Sequence, residues 1–189
     1  MANKSNYFPR RSSHFKNYKV ILSGRGSLTY SSVTGNTKKV AKAIAEELKD
    51  CDFLDIKDVK NLDYDIIIVG TWIRRTTADP KAMEFIDKIK GKKVAFFFTL
   101  GAYPNSEYAD RCIKNITELF LKNNNSLLGN FHCHGAVSPS VIERAMKRSQ
   151  DDPHGSIEKR MERWKHASTH PDENDLSNAK RYFKEIIGR

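Results

Sequence analysis

Cysteine is scarce in this chain of 189 residues, which has only three cysteines and no Cys-x-x-Cys pair. The scarcity argues against a disulfide-stapled fold and suits a reducing compartment. Long apolar runs are missing as well, so we expect no membrane span and no membrane partner. With 39% apolar and 30% charged residues, the length fits one domain with a sizeable core. A cytoplasmic protein is expected.

Acidic residues are missing from residues 1–25, which contain six of the basic residues, whereas the net charge of the whole chain is +10. We expect a flexible basic extension over residues 1–25 and a single domain over residues 26–189. A transit peptide or, because of Arg10 and Arg11, a twin-arginine signal is an alternative, but only a short apolar run at residues 18–22 follows. Charge alone would allow RNA binding, yet no aromatic RNA motif accompanies it, so no nucleic-acid partner is predicted.

A segment rich in hydroxyl groups lies between a short apolar run and a helix, and it consists of Ser31, Ser32, Val33, Thr34, Gly35, Asn36 and Thr37. Apolar residues that recur on one face over residues 40–48 indicate the helix. Because the N-terminus of a helix offers free N–H groups and a favourable dipole, the segment predicts a phosphate-binding loop. No lysine follows the glycine, so the loop differs from that of nucleoside triphosphatases. The alternative is an ordinary turn in which Thr34 or Asn36 caps the helix.

Two further loops follow apolar runs that predict buried parallel strands. The run at residues 64–70 is followed by Thr71, Trp72, Ile73 and Arg74, and the run at residues 93–99 leads through Thr99 into Leu100, Gly101, Ala102 and Tyr103. Ligands of open α/β sheets bind at the carboxyl ends of the strands. Trp72 and Tyr103 are candidates for stacking on a flat ring. Taken singly, each is equally well explained as a core aromatic or a turn residue.

Residues 30–37 resemble the phosphate loop of the flavodoxin family, and the loops at residues 71–74 and 99–103 stand where flavodoxins enclose the isoalloxazine ring. The resemblance covers residues 26–135 well and extends to the last helix. It implies FMN as the cofactor, bound by the residues of these three loops named above. It also implies an α/β fold with a doubly wound, five-stranded parallel sheet in the order 2-1-3-4-5. Because no long insertion splits the fifth strand, the chain is similar to short-chain flavodoxins.

The remaining pattern predicts the other elements. Strands are expected at residues 53–56 and 127–133, and helices at residues 81–89, 106–122 and 157–167. Further helices are expected to begin near residues 139 and 172, with a break at residues 151–155. Residues 143–170 exceed the family pattern and predict extra C-terminal helices. Ile157, Met161 and Trp164 recur at helical spacing, which indicates a helix packed on the domain; partner docking is the alternative.

The resemblance implies an electron carrier that accepts electrons from a NAD(P)H-dependent or iron–sulfur reductase and passes them to an acceptor enzyme. Residues 77–82 and 170–172 resemble a flavodoxin-like subfamily associated with bilirubin reductase, which makes that enzyme a candidate acceptor. The alternative is an FMN-dependent NAD(P)H reductase of quinones or similar small molecules. A third possibility is a flavodoxin fold without flavin that serves as an interaction module.

Neither a catalytic residue nor a metal site is predicted, because no nucleophile with a partnered base and no carboxylate pair stands out. The segment containing His132, Cys133 and His134 has residue types that bind metals. Alternate residues of a strand point to opposite faces, however, so Cys133 is separated from the two histidines. We interpret the histidines as residues near the rim of the ligand site.

Overall fold

The computed structural model describes residues 24–48, 50–147 and 156–187. Residues 1–23 of the predicted extension and the predicted break at residues 151–155 lie outside the described residues. Arg25 belongs to the described part, where its backbone N–H donates to Asp65 over 2.9 Å. Its guanidinium group pairs with Asp52 at 2.9 Å, so this residue contacts the domain.

Five parallel strands form the main sheet. Their bounds are Gly26–Tyr30 (β1), Cys51–Asp55 (β2), Ile66–Arg74 (β3), Lys93–Leu100 (β5) and Ser126–His134 (β6), and the two-residue strand Thr77–Ala78 (β4) pairs antiparallel with β3. The order across the sheet is β2-β1-β3-β5-β6. The predicted doubly wound parallel sheet and the relative order of its five strands are therefore confirmed, and β4 is an addition.

Helices cover both faces of this sheet. Their bounds are Asn36–Glu47 (α1), Pro80–Ile86 (α2), Glu107–Leu121 (α3), Pro139–Met146 (α4), Ile157–Ala167 (α5) and Glu173–Ile187 (α6), and a 3-10 turn spans Ile56–Asp58. One core cluster lies under α1 and α6, and another lies under α2 and α3. Within the described residues, no helix combines the length and apolar character needed to cross a membrane.

Alternating side chains of β5 fill the two core clusters. Phe96 packs against Phe120 of α3 with ring centroids 5.8 Å apart, whereas Phe97 on the other face meets Phe183 of α6 edge-on at 6.0 Å. The ring of Phe97 packs closely against Gly70 of β3. A Cβ atom added at residue 70 would come within 2.2 Å of that ring. The unbroken apolar run of β5 thus reflects burial on both faces.

The largest departure from the sequence prediction lies at the end of β3. The strand was expected to stop at Gly70, but it pairs with β5 as far as Trp72 opposite Thr99. It then continues to Arg74 and turns back into β4. Arg75 and Thr76 form the turn with φ angles of 51° and 64°. Residues 71–74 are therefore part of a hairpin, not a loop.

Several other boundaries differ by a few residues. The second strand begins at Cys51 and not at residue 53, and residue 56 belongs to the 3-10 turn. Helix α2 ends at Ile86, three residues earlier than predicted, although Ile89 remains buried in the core. The predicted helices over residues 106–122 and 157–167 are found as α3 and α5 with nearly unchanged ends.

Candidate functional site

The carboxyl ends of β1, β3 and β5 meet at one edge of the sheet. The backbone N–H of Ser31, just after β1, donates to the Gly70 carbonyl of β3 over 2.9 Å. On its other side β3 pairs with β5, and this pairing extends to Trp72 of β3 opposite Thr99 of β5. The parallel sheet therefore brings together the three predicted segments, at residues 31–37, 71–74 and 99–103.

Helix α1 begins at this edge without a side-chain cap. Gly35 is its N-cap residue with a φ angle of 91°, and no side chain in residues 24–48, 50–147 or 156–187 caps the first turn. Gly35 also has open space around it, since no atom lies within 4 Å of a Cβ added there. Three other helices do have such caps, since Asp79, Ser106 and Ser156 cap α2, α3 and α5, whereas Ser138 at the start of α4 makes no side-chain cap bond. The N–H groups of the first turn of α1 are thus available to an external acceptor.

Two hydroxyl groups flank this helix end with their protons unused in the observed bonds. The Ser32 hydroxyl oxygen accepts from the Gly35 N–H over 3.1 Å. The Thr34 hydroxyl oxygen accepts from the Asn36 side-chain amide over 3.1 Å. Because each oxygen is an acceptor in these bonds, its proton can still be donated. The Asn36 amide also donates to the Ala136 carbonyl over 2.8 Å, which anchors the loop to the segment after β6.

The other two predicted hydroxyl ligands are bonded to protein groups. Ser31 is buried and donates to Asp79 over 3.0 Å, and Thr37 is buried and shares a 3.0 Å hydrogen bond with Thr99. Val33 extends into solvent with 77% of its surface exposed. The structure therefore divides the loop into an outward part, residues 32–36, and two buried hydroxyls that fasten it to its neighbours.

Trp72 is half-buried, and its indole Nε1 is buried without a hydrogen-bond partner among the residues that the structure describes. Such a donor costs free energy unless it meets an acceptor. Ile73, the next residue, packs on the core under α2 and α3, while Arg74 is exposed. Trp72 thus presents an unused donor at the edge, and its neighbours are fixed by the hairpin.

Tyr103, in the segment after β5, lies against two histidine rings. Its ring centroid is 5.6 Å from that of His134 and 5.9 Å from that of His166. It still has 43% of its surface exposed. Leu100 is buried, and Ala102 packs on the core, so these two residues position the segment. Tyr103 therefore offers aromatic surface to a ligand at this edge.

Comparison with known proteins identifies the family. The family model described as Flavodoxin domain matches residues 27–184. This chain belongs to the flavodoxin family. It is 31% identical over 169 residues to the flavodoxin-like domain-containing protein BilS of Clostridioides difficile (strain CD3), and the match covers 84% of this chain and 93% of BilS.

Solved flavodoxin structures share the fold. A short-chain flavodoxin associated with a non-canonical PDU bacterial microcompartment has a TM-score of 0.56 at 13% identity, covering 86% of this chain and 96% of that chain. Oxidised Flavodoxin 2 from Bacillus cereus has a TM-score of 0.55 at 17% identity, covering 86% and 97% of the two chains. The predicted resemblance to flavodoxins is thus confirmed.

Membership of the flavodoxin family makes FMN the cofactor, and the residues at the edge fit it. The uncapped end of α1 and the free protons of Ser32 and Thr34 suit a phosphate. The unpartnered Trp72 Nε1 and the exposed ring of Tyr103 suit a flat heteroaromatic group with polar atoms on its rim. The donor set therefore matches both ends of FMN.

Sequence reasoning missed Asp79 as a residue of this edge. Its buried carboxylate accepts hydrogen bonds from Ser31 and from Thr71, at 3.0 and 2.9 Å, and it also caps α2. Asp79 thus ties the phosphate loop to the segment that contains Trp72. An Asp before Pro80 is recognisable as a helix cap, but its bonds to distant hydroxyls leave no local sequence signal.

Sequence reasoning also missed that His134 would meet two other histidines. His166 near the end of α5 and His170 before α6 lie beside it, with ring centroids 5.2 and 5.3 Å from that of His134. The spacing His-x-x-x-His of residues 166 and 170 is one that metal sites use, and it is visible in the sequence. His132 is not one of the three, because it stacks on Phe98.

Proposed function

We propose that this chain is an electron carrier that uses FMN at the carboxyl edge of the sheet to shuttle electrons between a reductase and an acceptor enzyme. The observation that supports it most directly is the uncapped N-terminus of α1, flanked by the free hydroxyl protons of Ser32 and Thr34. FMN supplies the redox chemistry when bound, while the protein supplies binding, orientation and electrostatics.

Phosphate binding in this proposal uses neutral donors only. The N–H groups of the first turn of α1 point outward, and the dipole of the helix favours an anion at that end. Gly35 leaves room for the close approach of a phosphate oxygen. Hydrogen bonds to an ionised acceptor are shorter and stronger than those between neutral groups. The loop thus holds a phosphate without a lysine.

Ring binding uses Trp72 and Tyr103. Offset stacking adds about 0.5 to 1.5 kcal/mol per aromatic pair beyond the burial of surface. Trp72 is fixed by its strand pairing with Thr99, and Tyr103 is supported on one side by His134 and His166. Rings that are held in advance lose little conformational freedom when a ligand binds.

The proposed electron donor is a NAD(P)H-dependent or iron–sulfur reductase, and the proposed acceptor is bilirubin reductase. The choice of acceptor rests on the resemblance of residues 77–82 and 170–172 to the subfamily associated with that enzyme. Identity of 31% to the flavodoxin-like protein BilS supports the same subfamily. Arg74 and Arg75 are exposed beside Trp72, so we expect the docking surfaces of the partners to be acidic.

The phosphate site is tested by titrating FMN and riboflavin into the apoprotein. Two charge-assisted hydrogen bonds are worth about 1.5 to 3 kcal/mol each, so a Ser32→Ala, Thr34→Val double variant should bind FMN about a hundredfold more weakly or worse. Riboflavin lacks the phosphate, and its affinity should change little. Ser126→Ala removes an exposed hydroxyl at the opposite edge of the sheet and serves as the matched control. Equal losses for both ligands would contradict the assignment.

The carrier role is tested by separating it from an enzymatic one. FMN-loaded protein is mixed with NADPH or NADH and a quinone, first without and then with an added flavodoxin reductase. We expect flavin reduction only with the reductase present, followed by electron transfer to added bilirubin reductase. Rapid quinone turnover with NAD(P)H alone would favour the FMN-dependent reductase, and a chain that binds no flavin would favour the interaction module.

A further inference from the structure

Three histidines from separate segments converge beside Tyr103. His134 ends β6, His166 lies in the last turn of α5, and His170 precedes α6. One ring nitrogen from each lies within 4.8 Å of the other two. The trio lies outside the phosphate loop, and nothing in the proposed electron transfer requires it.

The facing nitrogens of two of these rings have the separation found between ligands of one metal ion. The Nδ1 atoms of His134 and His166 are 3.3 Å apart. Zinc–nitrogen bonds of 2.0 to 2.1 Å at tetrahedral angles place two ligand nitrogens about 3.3 to 3.4 Å apart. The distance also permits a single hydrogen bond between the two rings, so the third histidine, His170, must distinguish a metal site from a hydrogen-bonded pair.

His170 has the carboxylate partner that metal-binding histidines usually have. Its Nδ1 lies 2.5 Å from Oδ2 of Asp175, and this contact leaves Nε2 for another ligand. Asp175 is held in turn by the backbone N–H of Asp172, which donates to the same oxygen over 3.0 Å. A carboxylate in this position fixes the orientation of the ring and raises the basicity of its metal-binding nitrogen.

His134 is buried, and within the described part of the chain its Nε2 has no hydrogen-bond partner. Its Nδ1 atom faces Nδ1 of His166, and an imidazole with its proton on Nε2 has a lone pair on Nδ1 for a metal ion. His166 is exposed, so the trio opens to solvent on one side, where a water molecule can complete four-coordination.

We propose that His134, His166 and His170 bind one divalent transition-metal ion of the zinc class, with Asp175 as the positioning residue for His170. Imidazole ligands suit zinc, copper, nickel and iron, and Zn²⁺ is the probe we would use. The ion would join β6, α5 and the segment before α6, which ties the extra C-terminal helices to the domain. Because Tyr103 contacts two of the three histidines, the ion would lie next to the ring-binding segment.

The test uses the full chain without a histidine tag, freed of metal with a chelator. Isothermal titration with Zn²⁺ should give one ion per chain, and Co²⁺ should give the visible absorption of a four-coordinate site. His166→Gln changes an exposed ligand and should weaken Zn²⁺ binding by a hundredfold or more. Asp175→Asn should weaken it by about 10- to 100-fold, as loss of a supporting hydrogen bond typically does.

The matched control is His132→Gln, which removes another histidine of β6. The Nε2 atom of His132 lies 3.1 Å from the Pro104 carbonyl oxygen, and its ring stacks on Phe98, so Zn²⁺ affinity should remain within a few-fold of wild type. Three results would overturn the proposal: no stoichiometric binding to the wild-type chain, unchanged binding in His166→Gln, or equal weakening in His132→Gln. Thermal melting of the wild-type chain and of each variant, all without added metal, checks that the compared proteins are folded.

Discussion

Replacement of Asp79 by Ala should strongly destabilise the chain, because this buried carboxylate accepts four hydrogen bonds. The hydroxyls of Ser31, just after β1, and of Thr71 in β3 donate to it at 3.0 and 2.9 Å. The N–H groups of Lys81 and Ala82 donate to it from the first turn of α2, at 3.1 and 3.3 Å. Only 1% of the residue is exposed, so water cannot replace these partners.

The magnitude follows from the groups left behind. A buried donor that loses its acceptor costs about 1 to 3 kcal/mol, and loss of a helix N-cap costs about 1 kcal/mol. Thr71 has a second acceptor, the Trp72 carbonyl at 3.0 Å, which reduces its share. We therefore expect Asp79→Ala to lower the free energy of unfolding by about 3 to 5 kcal/mol. For a chain of this size the melting temperature should fall by about 10 °C.

Asp79→Asn is the matched variant. The amide oxygen can keep the bonds to Ser31 and to the two N–H groups of α2, while the amide nitrogen can donate to Thr71, whose proton turns to Trp72. We expect a loss of only about 1 to 2 kcal/mol. Urea unfolding of the FMN-free proteins measures both variants. FMN titration should show weaker binding for Asp79→Ala, because the phosphate loop and the strand segment that contains Trp72 lose the residue that joins them. A loss below 1 kcal/mol for Asp79→Ala, or equal losses for Ala and Asn, would refute the reasoning.

Two further predictions concern the flavin ring. FMN should quench the emission of Trp72 and leave that of Trp164, so Trp72→Phe should remove most of the quenching; quenching that survives would place the ring elsewhere. Changing Arg74 and Arg75 to Glu should lower the potential of the second one-electron reduction, since one cation about 8 Å away at an effective dielectric near 40 contributes about 1 kcal/mol, or roughly 40 mV. The same charge change at the lysines 92 and 93, at the opposite edge, should have little effect, and equal shifts would rule out a local role for the arginines.

The layered fold follows from patterns that are local in the sequence. The continuous apolar run of β5 predicts a strand buried on both faces. The apolar residues that recur at helical spacing over residues 40–48 predict the buried face of α1. Both predictions are confirmed. The sequence predicts strands that alternate with helices, and the resemblance to flavodoxins implies a parallel sheet in the order 2-1-3-4-5. The five main strands of the structure follow that relative order.

The hairpin after Trp72 could not be predicted in the same way. Two-residue hairpin turns with positive φ angles favour Asn and Gly, because other side chains pay a steric penalty there. Arg75 and the β-branched Thr76 occupy these positions instead, with φ angles of 51° and 64°. Tertiary bonds stabilise this turn: the side-chain amide of Asn115 donates to the Thr76 carbonyl over 2.9 Å. Such partners are distant in sequence, so the turn has no local signature.

The roles of the loop hydroxyls depend on which face of the sheet each residue meets. In sequence, Ser31, Ser32, Thr34 and Thr37 look alike, and all four were predicted to bind the phosphate. Ser31 follows β1 and points towards Asp79, the N-cap residue of α2, whereas Thr37 lies on the buried side of α1 and faces Thr99 of β5. The residue types therefore indicate a phosphate loop. Which of its hydroxyls point outward depends on how β1 and α1 are oriented in the folded domain.

The histidine trio shows the same principle at the other end of the site. The expectation that His134 lies near the rim of the ligand site stays a prediction. Its histidine neighbours come from α5 and the segment before α6, at positions 32 and 36 residues further along the chain. The proximity of His166 and His170 to His134 depends on how the C-terminal helices pack on the domain. Hydrophobic periodicity predicts helices but does not predict how they pack. Tyr103 contacts both His134 and His166, so the extra C-terminal segment supports the residue that we assign to the flavin ring. This C-terminal segment, which the flavodoxin family model also covers, is therefore connected to the residues that we assign to cofactor binding.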